Sequence, residues 1–302
     1  MAIDSSGFQT IIQTDRGSGA IVNAMSVDVE EYFQVGAFET CIARSAWDTM
    51  QSRVVYSTEL VLDQFAAVGV KATFFCLGWV GERHKSLIRR IVDEGHELAS
   101  HGYDHQRVIH FDAQSFQADL YKSKAILEDA GGTGIVGYRA PSFSIGEGNL
   151  WALEVLAAEG YRYSSSVYPI RHDHYGMPRA PRFAFRPVVG SDMVELPVTT
   201  VQLMGRKIPC GGGGYFRLLP YRLSRWAMQQ VNHTDAAPCI FYFHPWEVDT
   251  DQPRQGHAPL KSRLRHYSNI SKMTGKLQRV LEDFSWGRMD DVFLTRPTQE
   301  GQ

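Results

Sequence analysis

Two histidines four residues apart, His101 and His105 in SHGYDH, directly follow the short apolar segment HELAS. If that stretch turns helically, both imidazoles share one face with Cβ atoms roughly 5–6 Å apart, a spacing that suits one metal ion. Surface or capping histidines would give the same pair, and His96 in the same segment reads as a hydrogen-bonded core residue. In VDVEEYF, three acids (Asp28, Glu30 and Glu31) end an otherwise apolar run, where burying unpaired carboxylates would be costly. Period-2 alternation puts Asp28 and Glu30 on one face and Val29 and Glu31 on the other. Asp28 and Glu30 can therefore share a site, one as metal ligand and one as general base. The competing reading is a solvated strand end before a helix N-terminus, which also favours acids. Arg139, in GYRAPSF, can hold a carboxylate bidentately or form a plain structural ion pair. His244 closes the apolar run CIFYFH ahead of Pro245 and Trp246. A histidine there is a candidate general acid, since its ordinary pKa of about 6.5 suits donation near neutrality; a satisfied structural histidine is the alternative.

These residues stand at the ends of short apolar segments that alternate with helical patterns. Strands are expected over 21–29, 70–78, 96–100, 135–139, 161–165, 193–200 and 239–244. Helices are expected over 57–69, with Ser57 or Thr58 as cap and Gly69 as stop, and over 84–95, 112–132, 148–160, 221–232 and 270–284. Such alternation implies an α/β protein with parallel strands covered by helices. Polar residues gathered at the C-terminal ends of several strands favour a (β/α) barrel over an open sheet. The proline-rich stretch 166–192 and the Gly-rich segment 210–220 are too irregular for plain connections and read as functional loops. Residues 1–20 read as a flexible N-terminal arm.

The chain has 302 residues, 43% of them hydrophobic, with 31 Lys+Arg against 33 Asp+Glu. That balance lacks the basic footprint of a nucleic-acid binder. No apolar run approaches the ~20 residues of a transmembrane helix, and the N-terminus lacks a signal-peptide pattern. Four scattered cysteines without a CxxC pair read as free thiols. A cytoplasmic protein is the expectation; the sequence leaves its oligomeric state open.

In order and spacing, the acids ending strand one, ATFFCLG, GHELASHGYDH, YRAPSF and the late strand ending in His resemble one family. They are similar to the motifs of the polysaccharide deacetylases of carbohydrate esterase family four, which includes chitin, peptidoglycan and nodulation-factor deacetylases. The similarity spans about residues 21–250. After 195, ELPVTT, GGGGYFRLLPY, FHPWEVD and RLRHYSN resemble the subgroup found with bacterial exopolysaccharide biosynthesis. The resemblance implies a distorted, TIM-like (β/α) barrel of seven or eight strands with elaborated C-terminal loops, here a single domain over 21–295. It implies Zn2+, or another divalent ion such as Co2+, held by His101 and His105. It makes Asp28 the catalytic base, Arg139 the residue that orients it, and His244 the catalytic acid. The family usually has two adjacent acids, whereas Val29 follows Asp28 here. The acid-x-acid spacing of some branches fits Asp28-Val29-Glu30, so Glu30 is the expected ligand and Glu31 the fallback. The family often has an acid where this chain has Ser164; Asp249, Glu247 or no residue would replace it in tuning His244.

The implied reaction removes N-acetyl groups from amino sugars of a polysaccharide or oligosaccharide and releases acetate. A backbone N–H of the 141–143 turn is a candidate oxyanion donor, and Pro141 and Phe143 candidate substrate contacts. Trp246 and Trp79 can offer flat faces to sugar rings, with core packing as the alternative. The glycines of 211–214 permit close backbone approach to a ligand, which makes Gly213 and Tyr215 further candidates. Arg265 and His266 can contact a glycan or another subunit, or lie in a plain surface loop. Two other functions fit the same motifs: an allantoinase-like cyclic amide hydrolase, and a carbohydrate-binding protein without turnover.

Overall fold

β2 (Val22–Val29) is the spine of the sheet, with every residue after Val22 buried. Continuous burial is what a parallel strand covered on both faces requires. It pairs in parallel with β3 (Thr73–Cys76) and β11 (Ile240–Phe243), and its first three residues pair with β12 (Ser285–Gly287). From β3 the sheet runs in parallel through β4 (Glu97–Ser100), β5 (Gly137–Tyr138), β6 (Tyr163–Ser164) and β8 (Val194–Glu195). Its edge is antiparallel, where β7 (Phe185–Arg186) meets β8 and β1 (Gln9–Thr10) meets β7. A hairpin of β9 (Thr200–Leu203) and β10 (Arg206–Pro209) stands apart. The computed structural model describes residues 8–11, 20–172 and 175–294. Residues 1–7 and 12–19 of the expected arm lie outside them, as do His174 of the 166–192 loop and residue 295.

The parallel sheet curls into a TIM-like barrel, and irregular chain bridges its two ends. Gly211 N donates to Thr199 O (3.1 Å), and Tyr242 N donates to Gly211 O (2.8 Å). Ile240 N donates to the Thr199 hydroxyl (2.6 Å). Gly212 has a φ of +109°, and a Cβ there would fall on the carbonyl oxygen of Tyr242. The glycine run thus permits close approach as expected, but to the barrel's own strand. The rest of that segment is not a loop either, because residues from Gly213 onward wind into α6 (Gly213–Leu218).

The outer layer follows the alternation: α1 (Val54–Val68), α2 (Gly78–Arg83), α3 (Lys85–Asp93), α4 (Ala113–Gly131), α5 (Trp151–Ala158), α7 (Tyr221–Thr234), α8 (Leu260–Tyr267), α9 (Ile270–Asp283) and α10 (Met289–Phe293). Gly69 stops α1 in the left-handed region as the sequence indicated. Its start differs, because Ser57 and Thr58 are buried inside the helix and Ser57 Oγ bonds back to Arg53 O. The cap is remote: the Glu31 carboxylate accepts from Arg53 N (2.9 Å) and from the Ser52 hydroxyl. Among the described residues no helix is long and apolar enough to cross a membrane.

Candidate metal centre and active site

Parallel strands bring their C-terminal ends to one mouth, and each chemical residue singled out in the sequence sits there. Asp28 is near the end of β2 and Glu30 follows it; His101 follows β4, Arg139 follows β5 and His244 follows β11. One ligand atom each from Glu30, His101 and His105 lie within 4.8 Å of one another, and all three residues are buried. His105 Nε2 stands 2.8 Å from Glu30 Oε2, yet that fully buried oxygen has no hydrogen-bond partner. His101 Nδ1 lies 2.8 Å from the carbonyl oxygen of Arg139. A carbonyl only accepts, so Nδ1 carries the proton and Nε2 is left as the free donor. Two imidazoles and a carboxylate with an unsatisfied oxygen match the donor set of an open catalytic zinc site.

The two histidines converge by a route the sequence did not indicate. Residues 101–105 form no helical turn; Gly102 and His105 both have positive φ, at 76° and 58°. The reversed backbone brings the rings within 5.4 Å, centroid to centroid. Glu30 and Glu31 part company at the end of β2, because Glu31 is committed to the α1 cap. The clustered donors include Glu30 and not the fallback, Glu31. His96 is a core residue, accepting a hydrogen bond from Ala72 N at Nδ1 (3.1 Å).

Electrostatics separate the groups. Burial pushes the Glu30 carboxyl up, but the imidazoles of His105 and His244 override it and hold the group at about 2. Burial brings His101 down to about 4, against the pull of Asp28. Burial also opposes the charged form of His244, but Glu30 and Glu247 raise it to about 9. His244 Nδ1 lies 2.8 Å from Glu247 Oε1, and Nε2 lies 3.6 Å from Glu30 Oε1. Glu247 is held in turn by Arg217 Nε at 2.5 Å. The Arg217 guanidinium also donates to the carbonyls of Arg265, His266 and Ser268.

Glu247 therefore occupies the position next to the histidine that Ser164 cannot fill; Ser164 donates instead to the Ser166 hydroxyl (2.8 Å). Asp249 is bound to Arg53 (2.7 Å). Arg139 is fully buried and donates from Nη1 to Asp28 Oδ1 (2.6 Å) and to the Ser26 hydroxyl (2.9 Å). Its contact with the acid uses one nitrogen rather than a bidentate fork, because Nε and Nη2 are spent on Ser165.

The site forms the floor of a cavity of about 380 Å³, walled by Ser142, Phe143, Tyr175, Tyr215, Tyr242, Lys261 and Arg265. Phe143 and Tyr215 line it as expected, whereas Pro141 and Gly213 do not. Gly213 is pressed against the Tyr242 ring. Trp246 lines the cavity and stacks near parallel with His244 at 5.1 Å and with His266 at 4.1 Å. Its Nε1 donates to Glu30 Oε1 (3.2 Å), so it helps to hold the acid. His266 belongs to α8 and is buried, not part of a surface loop. Trp79 packs edge-on against Trp47 and Phe33, the core alternative.

The curled parallel sheet is a TIM-like α/β barrel, and the Glu30, His101 and His105 cluster at its mouth could hold a metal ion. Residues 45–164 match the family model described as polysaccharide deacetylase, and residues 165–294 match a domain of unknown function, DUF3473. The chain thus carries a stretch over 45–164 that is similar to polysaccharide deacetylases. Its first acids, Asp28 and Glu30, precede the matched segment, and His244 lies in the second match. The chain is 33% identical over 98 residues to a peptidoglycan-N-acetylglucosamine deacetylase of Bacillus cereus, which is 32% of this chain and 36% of that protein. It is 32% identical over 107 residues to a peptidoglycan deacetylase of Helicobacter pylori, again 36% of that protein. The matched stretch thus spans little more than a third of either relative. Two solved structures share the fold. A candidate polysaccharide deacetylase from Mycobacterium smegmatis has a TM-score of 0.60 at 19% identity, covering 95% of this chain and 97% of that one. The Puue allantoinase has a TM-score of 0.58 at 16% identity, covering 92% and 90%.

Proposed function

We propose that this protein is a metal-dependent hydrolase that removes N-acetyl groups from amino sugars of a glycan. The observation that carries the proposal is the convergence, on one cavity floor, of Glu30, His101 and His105 with the Arg139–Asp28 pair and the Glu247–His244 pair. Glu30, His101 and His105 would hold a divalent ion, zinc or cobalt. That ion would supply Lewis-acid polarisation of the acetyl carbonyl and acidify water. Asp28 takes the proton of the attacking water, and Arg139 keeps its carboxylate aligned. In the 141–143 turn Pro141 has no N–H, and that of Phe143 is donated to Ala140 O (3.0 Å). Ser142 lines the cavity with a left-handed φ of 54° and supplies the remaining N–H toward the oxyanion, a contact worth about 3 kcal/mol. His244 enters protonated and donates to the departing nitrogen, contributing about 10²–10⁴-fold. Without that proton the tetrahedral species would expel water rather than an amine. The resemblance of ELPVTT, GGGGYFRLLPY, FHPWEVD and RLRHYSN supports an exopolysaccharide as the glycan.

The test is acetate release from N-acetylated oligosaccharides, run beside ring opening of allantoin, before and after chelation. Acetate release that chelator abolishes and zinc restores is the expected result. Ring opening without acetate release would assign the site to cyclic amides, and glycan binding indifferent to chelator would assign it to recognition alone.

A further inference from the structure

On the α6–α8 side, the rim of the cavity is cationic and apolar at once. From Gln252 to Leu281 the chain contains no Asp or Glu, yet it carries seven Lys and Arg, among them Arg254, Lys261, Arg263, Arg265, Lys272 and Arg279. These six are exposed, a local excess in a chain of net charge −2. Leu260 and Leu264, one turn apart on α8, are 68% and 59% exposed, and Leu218 at the end of α6 is 56% exposed. Leu218, Lys261 and Arg265 line the cavity itself. Arg217 of α6 donates to the carbonyls of Arg265, His266 and Ser268, which ties α6 to the C-terminal end of α8.

A single exposed leucine needs no explanation, but exposed leucines beside an opening and among exposed cations mark an interaction surface. Outward leucines flanked by Lys and Arg are the chemistry of a helix lying in a membrane interface. The apolar side chains enter the boundary of the acyl chains while the cations meet anionic headgroups. An anionic polymer would satisfy the cations and leave Leu260 and Leu264 in water, so the leucines decide for a bilayer.

We propose that the α6–α8 rim docks on an anionic lipid bilayer, so that the cavity mouth faces the membrane and receives glycan presented at its surface. The statement about substrate rests on the deacetylase reading; the docking itself does not. The experiment is sedimentation of the full chain with mixed phosphatidylcholine–phosphatidylglycerol vesicles and with phosphatidylcholine vesicles alone. The protein is expected to partition onto the mixed vesicles only. Partition should fall about tenfold or more in Leu260→Ser/Leu264→Ser and, separately, in Arg263→Glu, and weaken with added salt. None of these residues lines the cavity, and both variants should keep wild-type acetate release from a soluble oligosaccharide. Failure to sediment with mixed vesicles overturns the proposal, as does full retention of binding by the double leucine variant. Tighter binding of a soluble polyuronate, equal in wild type and the leucine variant, would identify a polymer as the occupant and overturn it too. If no protein releases acetate, the deacetylase reading falls while the vesicle result stands.

Discussion

Replacing Glu247 by Gln removes the anion that keeps a proton on His244. In the wild type burial opposes that proton, but Glu30 and Glu247 together raise the imidazole to about 9. A cation bound at Glu30 cancels most of that carboxylate's pull, which leaves Glu247 as the deciding charge. The variant keeps the side-chain shape but exposes His244 to burial and to an unpaired Arg217, so its pKa falls to the ordinary 6.5 or below. The raised pKa means that the donor is competent below about 9 and loses its proton as pH rises through that value. With a pKa near 6.5 the protonated fraction at pH 8 is about thirtyfold smaller, whereas at pH 6 it is nearly unchanged. The basic limb of kcat/KM, which reports the free enzyme's essential acid, should therefore move down toward 6.5, about 2.5 pH units below the value that Glu30 and Glu247 set together. Metal content should not change, because Glu247 is not among the three clustered donors. A uniform loss at every pH, with the basic limb in place, would show that Glu247 only supports the local fold and would refute the reasoning.

Glu30→Gln should abolish metal binding while Glu31→Gln leaves it intact. Glu31→Ala instead should cost about 1 kcal/mol of stability through the lost α1 cap, read by denaturant unfolding. Gly102→Ala should weaken metal affinity in a titration of the metal-free protein. A left-handed φ costs a residue with a Cβ about 1–2 kcal/mol, and the added carbon would stand 3.1 Å from Asp119 Oδ2. Asp28→Asn should lose about 10²–10⁴-fold in turnover and keep its metal, since Asp28 is outside the donor cluster; loss of both would reassign Asp28 to the ligands.

The barrel and the convergence of its strand ends were legible because periodicity is a local signal. Asp28 and Glu30 are a case in point, since two-residue alternation alone places them together. What escaped was set by contacts remote in the chain or by unusual backbone. A helical turn over 101–105 was one way to bring the two histidines together, and no composition signal announces the positive φ of His105 that is found instead. Glu247 did leave a trace. His244-Pro245-Trp246-Glu247 has the cap-x-x-acid spacing, and the structure shows the reciprocal bonds, with Glu247 accepting from His244 N (3.1 Å). That spacing separates Glu247 from Asp249, the other candidate, but a histidine in the cap position disguises it. The stacking of His266 on Trp246 depends on α8, whose helical pattern over 260–267 went unrecognised. Arg217 was missed for a similar reason, since the glycines before it suggested a loop and its partners lie near residue 266.

The central claim is that Glu30, His101 and His105 together bind a divalent ion, and elemental analysis of the purified protein tests it most directly. Wild type, reloaded after chelation, should carry a single tightly held divalent ion per chain, and both His101→Ala and Glu30→Gln should lose it while remaining folded by circular dichroism. An unchanged metal content in either folded variant would contradict the account.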